Sequence, residues 1–581
     1  MLATCRRFTA IVLLTTAVAC GDVVDVHHPS DDPSPDAVDA RAVVGGKADH
    51  LFSECHLEHL LLLVNDPQTD ADLLIDHDVH HRAARNIDAA DRSFRTAEAL
   101  DEVPYVGPVA FQQLAGAVDP YCSQGDWRST DTLFSPEPPG NSHVDHVARK
   151  INGATRSIDM AMYRISDHRV INALGDATAR GVHIRLLFDE ANGDHLATEG
   201  STSALLEDLG VDVRYINRPM HHKFAIIDGP RDHLLQASDA RFFSGSANMA
   251  YAAASIYDEN TVFHRRDPSL VLTFQRQFNH LWEHSRNLEW NDGLDYLESL
   301  PIEEEMIPHR PTMEVLFTSE NFETTHHAHW GPGFRPHPFG EAVVSRLVEL
   351  IHGADSSIWI ASRYLRSRQI AEALLQRHND EPHLDIRVYL DQAEYIDADA
   401  HLEQAEELQN CLDEADGDEL RKYRCRERGR LFSYALFEAG VPLRFKTYAY
   451  RWHFTYAEQM HHKYMIIDKT LAATGSYNYS NNAEQNSMEN VVLYHRHEYP
   501  DVVDNFVKNF RQIWQAGQMD HPPQDWMTHK ESAQTIDLVF DPIALTWPQL
   551  TEFQDLVESR CPMVHTDEFA ADPTEYKYCT P

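Results

Sequence analysis

Two stretches of the chain share one order of apolar and polar positions. Ser157-Ile158-Asp159-Met160-Ala161-Met162-Tyr163 is echoed by Ser357-Ile358-Trp359-Ile360-Ala361-Ser362-Arg363, and Leu133-Phe134-Ser135 by Leu316-Phe317-Thr318. Short apolar runs of this kind predict strands. Each is followed by a helical stretch, Val170 to Arg180 and Ile370 to His378. A second apolar strand comes next, His183 to Asp189 and Asp385 to Asp391. Strand, helix, strand is the signature of an α/β unit, and its recurrence predicts a duplicated one. The units also end alike, with Phe274, Phe278 and Trp282 recurring as Phe506, Phe510 and Trp514. A spacing of four on a helix is read as core packing.

The remaining segments divide around this repeat. Arg6 and Arg7 precede an apolar run too short to span a bilayer, which marks residues 1–19 as an export signal. Ala17-Val18-Ala19 before Cys20 reads either as an A-x-A cleavage site or as a lipobox that lipidates Cys20. Residues 20–50, rich in Asp, Pro, Val and Gly, predict a flexible tether. Residues 51–125 predict a helical segment. Within it, Leu100 to Ala110 resembles a helix-hairpin-helix turn, read first as packing because its flanks are acidic. The two lobes are expected at 126–300 and 301–518, with a C-terminal extension at 519–581. An insertion of about Gln392 to Glu458 in the second lobe is placed to shape an entrance to a site.

Composition narrows the partners. With 91 acidic against 50 basic residues the net charge is −41, a field that discourages long-range capture of nucleic acid or anionic membranes. A small cationic pocket within that field remains compatible with it. Outside the leader and Cys20 six cysteines remain, and proximity pairs Cys55 with Cys122, Cys411 with Cys425, and Cys561 with Cys579. Disulfides suit export better than metal ligation, and no Cys-x-x-Cys spacing argues for zinc. The clusters His326, His327, His329 and His77, His80, His81 are read as solvated loop residues, so no metal site is expected.

Chemistry concentrates in two matching blocks. The first lobe carries His221-His222-Lys223 with Asp228, then Gly245-Ser246-Ala247-Asn248, then Asp258-Glu259-Asn260. The second carries His461-His462-Lys463 with Asp468, then Gly475-Ser476-Tyr477-Asn478, then Met488-Glu489-Asn490. Strand parity projects His221 with Lys223, and His461 with Lys463, toward one face. It turns His222, His462, Asp228 and Asp468 away, as residues that support the strand and its end. An imidazole beside an ammonium suits attack on a phosphodiester, one group bonding phosphorus while the other neutralises its oxygens.

H-x-K-x4-D followed by G-S-x-N resembles the HKD motif of the phospholipase D superfamily, here in two full copies. The resemblance implies two similar α/β lobes packed face to face around one site. One motif histidine forms a phosphohistidine and the other protonates the departing alcohol; by analogy the nucleophile is His221 and the acid His461, an assignment that could be reversed. Lys223, Lys463, Asn248 and Asn478 would hold the non-bridging oxygens. Glu259 and Glu489 match the acid that accepts a hydrogen bond from each imidazole, and Ser246 and Ser476 complete the motif structurally. No cofactor is expected, since the lysines supply the charge a metal otherwise would. The expected substrate is a glycerophospholipid at a membrane surface, cleaved by a monomer without an obligate protein partner. A metal-independent extracellular nuclease is the alternative, and a degenerate binding protein is disfavoured by the intact motifs.

Overall fold

The computed structural model describes residues 41–43, 51–123, 128–290, 299–451, 456–517 and 523–580. The expected leader, Cys20 and most of the tether lie outside the described residues. In the first lobe the strands are β1 (Ser129–Ser135), β2 (Ser157–Met162), β3 (His183–Phe188), β4 (Asp212–Tyr215), β5 (Lys223–Ile227), β6 (Arg241–Gly245), β7 (Glu259–Arg265) and β8 (Arg286–Asn287). They form one sheet in the order β8-β4-β3-β2-β5-β6-β7-β1. The pairs β2–β3 and β3–β4 are parallel, and β5 enters antiparallel to β2.

The second lobe repeats the arrangement. Its strands are β9 (Met313–Phe317), β10 (Phe322–His327), β11 (Gly331–Pro336), β12 (Ser357–Ser362), β13 (Asp385–Asp391), β14 (Leu443–Ala449), β15 (Lys463–Ile467), β16 (Leu471–Gly475), β17 (Asn490–His495) and β18 (Val539–Thr546). Apart from the β10–β11 hairpin they form a sheet ordered β9-β17-β16-β15-β12-β13-β14-β18, the same order read from the other edge. The segment after residue 518 therefore contributes an edge strand: β18 pairs antiparallel with β14 and covers what would otherwise be an open edge.

The central strands are buried on both faces, which is why they read as near-continuous apolar runs. On the outer face of the first lobe lie α3 (His143–Asn152) and α4 (His168–Ala179). Ser142 opens α3 with a reciprocal capping box to Asp145. On the inner side, α5 (Pro268–Glu283) and α10 (Pro500–Trp514) place Phe274, Phe278, Trp282, Phe506, Phe510 and Trp514 in one core shared by both lobes. Phe274 meets Phe317 of β9 at 5.2 Å, and Phe506 meets Phe134 of β1 at 5.1 Å. The matched aromatic triplets are thus the joint between the lobes.

Residues 54–122 form a helical layer, with α1 (Glu54–Asn65) packed against α2 (Pro108–Cys122) and linked to it by Cys55–Cys122. The Leu100–Ala110 turn closes this small core, with Leu100, Val103, Val106 and Ala110 buried in it. The layer is fastened to the first lobe: Asp66 accepts the Leu234 N–H at 2.6 Å, and Glu58 accepts from the Ser269 N–H at 3.2 Å and from Arg128 at 2.9 Å. The loop 229–241, longer in the first copy than in the second, is the part that receives α1. Disulfides also join Cys411 to Cys425, within the insertion, and Cys561 to Cys579.

Candidate active site

The histidines sit just before β5 and β15, where each sheet ends against the other lobe. Lys223 and Lys463 open those strands, and both are buried. Each ammonium donates to the carbonyl of its own histidine, Lys223 to His221 at 2.7 Å and Lys463 to His461 at 2.9 Å. At the far ends, Asp228 and Asp468 adopt left-handed backbone with φ of 58° and 53°. Asp228 accepts the Thr155 and Arg156 N–H groups at 2.8 and 2.7 Å, and Asp468 those of Asp355, Ser356 and Ser357. These carboxylates tie the strand end to the preceding turn, remote from the histidines.

The glutamates cross between lobes. Glu489 lies 2.8 Å from Nδ1 of His221, and Glu259 lies 2.5 Å from Nδ1 of His461. Each imidazole therefore presents Nε2 to the interface. The backbone makes the same exchange: His221 donates to the Met488 carbonyl at 3.1 Å, and His461 to the Asp258 carbonyl at 3.0 Å. Asn260 accepts from Thr474 at 3.0 Å and Asn490 donates to Ser244 at 3.0 Å, stitching the two sheets together below the site. His462, on the other face of its strand, meets Asn260 at 3.3 Å, while buried His222 packs on Phe224 and Phe317.

Glycine and serine of the second block have separate tasks. A Cβ on Gly245 would lie 2.2 Å from the Asn260 carbonyl oxygen, and one on Gly475 2.2 Å from that of Asn490. Only glycine permits the strands to approach so closely. Ser246 then accepts the Asn260 N–H at 2.9 Å and Ser476 the Asn490 N–H at 3.0 Å. Asn248 and Asn478 each keep a buried amide oxygen without a hydrogen-bond partner.

Burial governs the charges. It pushes Glu259 up to about 8 against the pull of Lys463, Ser246 and Lys223, and Glu489 up to about 8 against Lys223, Ser476 and Lys463. It brings Lys223 down to about 7, helped by Lys463, and Lys463 down to about 8. Both imidazoles are held well below their ordinary value, first by burial and then by the lysines. A phosphodiester anion placed among these groups supplies the missing negative charge and raises the lysines and imidazoles again.

Sequence reasoning missed a further matched pair. Asp189, after β3, accepts the Met220 N–H at 2.7 Å, and Asp391, the last residue of β13, accepts the Met460 N–H at 2.9 Å. Each carboxylate thus holds the peptide immediately before a motif histidine. The signal was present: both echoed strands run into an aspartate. The first residue after β2 differs from its counterpart after β12. Tyr163 donates its N–H to the His222 carbonyl at 3.1 Å, and Arg363 donates its own to the His462 carbonyl at 3.1 Å. Tyr257 has its ring 6.0 Å from that of His461. Among the described residues the only cluster with metal-ligand geometry is Cys55, His59 and Cys122, whose two thiols form a disulfide.

Two equivalent sheets, a cross-paired histidine–glutamate couple and two buried lysines at their junction define a phospholipase D-like half-site pair. The family model described as "Cardiolipin synthase, PLD-like domain" matches residues 147–282 and 347–514, over half of the chain. The chain belongs to this phospholipase D-like family. Among curated proteins it is similar to the mitochondrial cardiolipin hydrolase of Chlamydomonas reinhardtii, 32% identical over 135 residues, 23% of this chain and 54% of the relative. The human mitochondrial cardiolipin hydrolase is 30% identical over 148 residues, 25% of this chain and 53% of the relative. The chain thus spans about half the length of the curated relatives it matches. Among solved structures, the phospholipase D family member Nuc from Salmonella typhimurium is 24% identical, with a TM-score of 0.23, covering 28% of this chain and 97% of that one.

Proposed function

We propose that the protein is a phosphodiesterase that cleaves the head-group ester of glycerophospholipids through a phosphohistidine, working as an exported enzyme. The observation that carries the reading is the crossed pair, His221 with Glu489 and His461 with Glu259. It gives two imidazoles at one interface, each oriented by a carboxylate through Nδ1. Nε2 of His221 attacks phosphorus, the phosphorus–oxygen bond to the leaving alcohol breaks, and His461 gives its Nε2 proton to that oxygen. Water then transfers a proton to His461 and its hydroxyl to phosphorus, the phosphorus–nitrogen bond breaks, and His221 departs neutral. Lys223, Lys463, Asn248 and Asn478 hold the non-bridging oxygens, whose charge grows in each transition state.

The named relatives, cardiolipin hydrolases, support a lipid substrate. Three disulfides support an oxidising compartment. Among the described residues no helix is long and apolar enough to cross a membrane. The test offers the purified chain phosphatidylcholine and phosphatidylglycerol vesicles with a little primary alcohol in excess EDTA, and single-stranded DNA in parallel. Phosphatidyl-alcohol formation, lost in both His221→Ala and His461→Ala, is the expected result. DNA cleavage with untouched lipid would replace this reading with the nuclease.

A further inference from the structure

The two half-sites match at every motif position, so their differences locate what the site does beyond cleaving a diester. Around His221 stands Tyr163, its ring edge-on to the imidazole at 4.8 Å, with the Lys223 ammonium 5.0 Å over the same ring. The equivalent residue of the second lobe is Arg363. The two main chains are held identically, each N–H on the carbonyl of the second motif histidine at 3.1 Å, so the exchange replaces a ring by a guanidinium on the same scaffold. The Arg363 side chain lies 4.9 Å over the Tyr364 ring. Its charge is felt by His461, Lys463, Glu259 and Tyr257, and by His221 as well.

The neighbours of that half agree. Tyr448 and Asp391 feel the Arg363 charge as well; the Asp391 carboxylate accepts the Met460 and Ala393 N–H groups and is approached by the Tyr448 hydroxyl at 3.4 Å. The His461 side thus carries an additional cation where the His221 side carries the Tyr163 ring. A phosphodiester lying between the histidines must place one substituent on each side. In a glycerophospholipid the diacylglycerol moiety carries no charge, so only the head group can use an arginine.

We propose that Arg363 is a specificity-determining residue that receives an anionic group, a carboxylate or a second phosphate, borne by the leaving head-group alcohol. The inference rests on the phospholipid reading above. It also orients the substrate: the head group departs toward His461, and the diacylglycerol phosphate remains on His221. A choline head group places a cation against the guanidinium and is disfavoured.

The experiment compares the full chain on single lipids dispersed in a nonionic detergent, which removes surface charge as a variable. The lipids are phosphatidylcholine, phosphatidylserine (head-group carboxylate) and phosphatidylglycerol phosphate (head-group phosphate), with bis(p-nitrophenyl) phosphate as a lipid-free diester. At least one anionic lipid is expected to exceed phosphatidylcholine about tenfold or more in kcat/KM, and which one does so identifies the anion. Arg363→Gln should collapse that ratio toward one, and Arg363→Lys should keep most of it. A ratio measured within one preparation is insensitive to the fraction folded. In the wild-type chain, denatured rapidly at mildly alkaline pH during turnover, the mass added to His221 should be that of the phosphatidyl group. Equal or better turnover of phosphatidylcholine, an unchanged ratio in Arg363→Gln, or a head-group phosphoryl adduct overturns the inference while leaving the lipid reading intact. Cleavage of bis(p-nitrophenyl) phosphate with no lipid consumed overturns both.

Discussion

Glu259 and His461 are 202 positions apart and belong to different sheets, yet the carboxylate lies 2.5 Å from Nδ1 of the imidazole. Glu489 and His221 repeat the contact in the opposite sense at 2.8 Å. Neither motif histidine takes its carboxylate from its own lobe. The single site is therefore a property of the joint between lobes, and anything that separates them removes both couples at once.

The crossed pairing predicts which residues are energetically coupled. Double-mutant cycles on urea unfolding, using Ala for histidine and Gln for glutamate, should give coupling of about 0.5–3 kcal/mol for His221 with Glu489 and for His461 with Glu259. The same-lobe pairs, His221 with Glu259 and His461 with Glu489, should couple less. Stronger same-lobe coupling would contradict the crossed geometry.

The lysines predict a pH dependence with a definite sign. Burial lowers Lys223 to about 7 and Lys463 to about 8, so each is cationic below that range and neutral above it. As pH rises through 7 to 8 the site loses the charge that binds phosphate, and kcat/KM, which reports the free enzyme, should fall. Bound diester raises both lysines, so the fall in kcat should lie at higher pH. A kcat/KM that stays flat from pH 7 to 9 would count against cationic lysines as the phosphate ligands.

Asp189 and Asp391 are predicted to act as positioning residues. Asp189→Ala or Asp391→Ala frees the Met220 or Met460 N–H and loosens the peptide that carries the histidine. A loss on the order of 10–100-fold in kcat with little change in KM is expected, because a small misplacement of a reacting group is costly. Steady-state kinetics beside a thermal melt separates this from unfolding: a matching loss of folded protein would make the role purely structural.

Gly245→Ala and Gly475→Ala should each destabilise the chain. The added methyl would stand 2.2 Å from a carbonyl oxygen of the neighbouring strand, backbone that cannot swing aside. About 1–3 kcal/mol is expected from the forced shift. Urea midpoints check it, and Gly116→Ala, with open space around its position, is the control.

Much of this was legible along the chain. Short apolar runs separated by helical stretches showed the two α/β copies, the aromatic triplets showed a core helix in each, and strand parity placed His221 with Lys223 apart from His222. These are local properties, set by a period of two in strands and 3.6 in helices, and a single copy is enough to display them. The family resemblance selected Glu259 and Glu489, and their equal distance of 13 positions after Ser246 and Ser476 supported it.

Which histidine each glutamate serves is a different kind of fact. His221 and Glu259 are neighbours in one motif block, and nothing in their spacing reveals that the hydrogen bond goes to the other block. The tertiary structure decided it, because α10 packs on β1 of the first lobe and Phe274 of α5 on Phe317 of the second, which brings the ends of the two sheets together and directs each glutamate across the joint. The echoed strands mark Asp189 and Asp391 themselves, but not the Met220 and Met460 N–H groups that they hold, which only the packing reveals. Sequence period thus determined the two halves and their chemistry; long-range packing alone determined that they make one site.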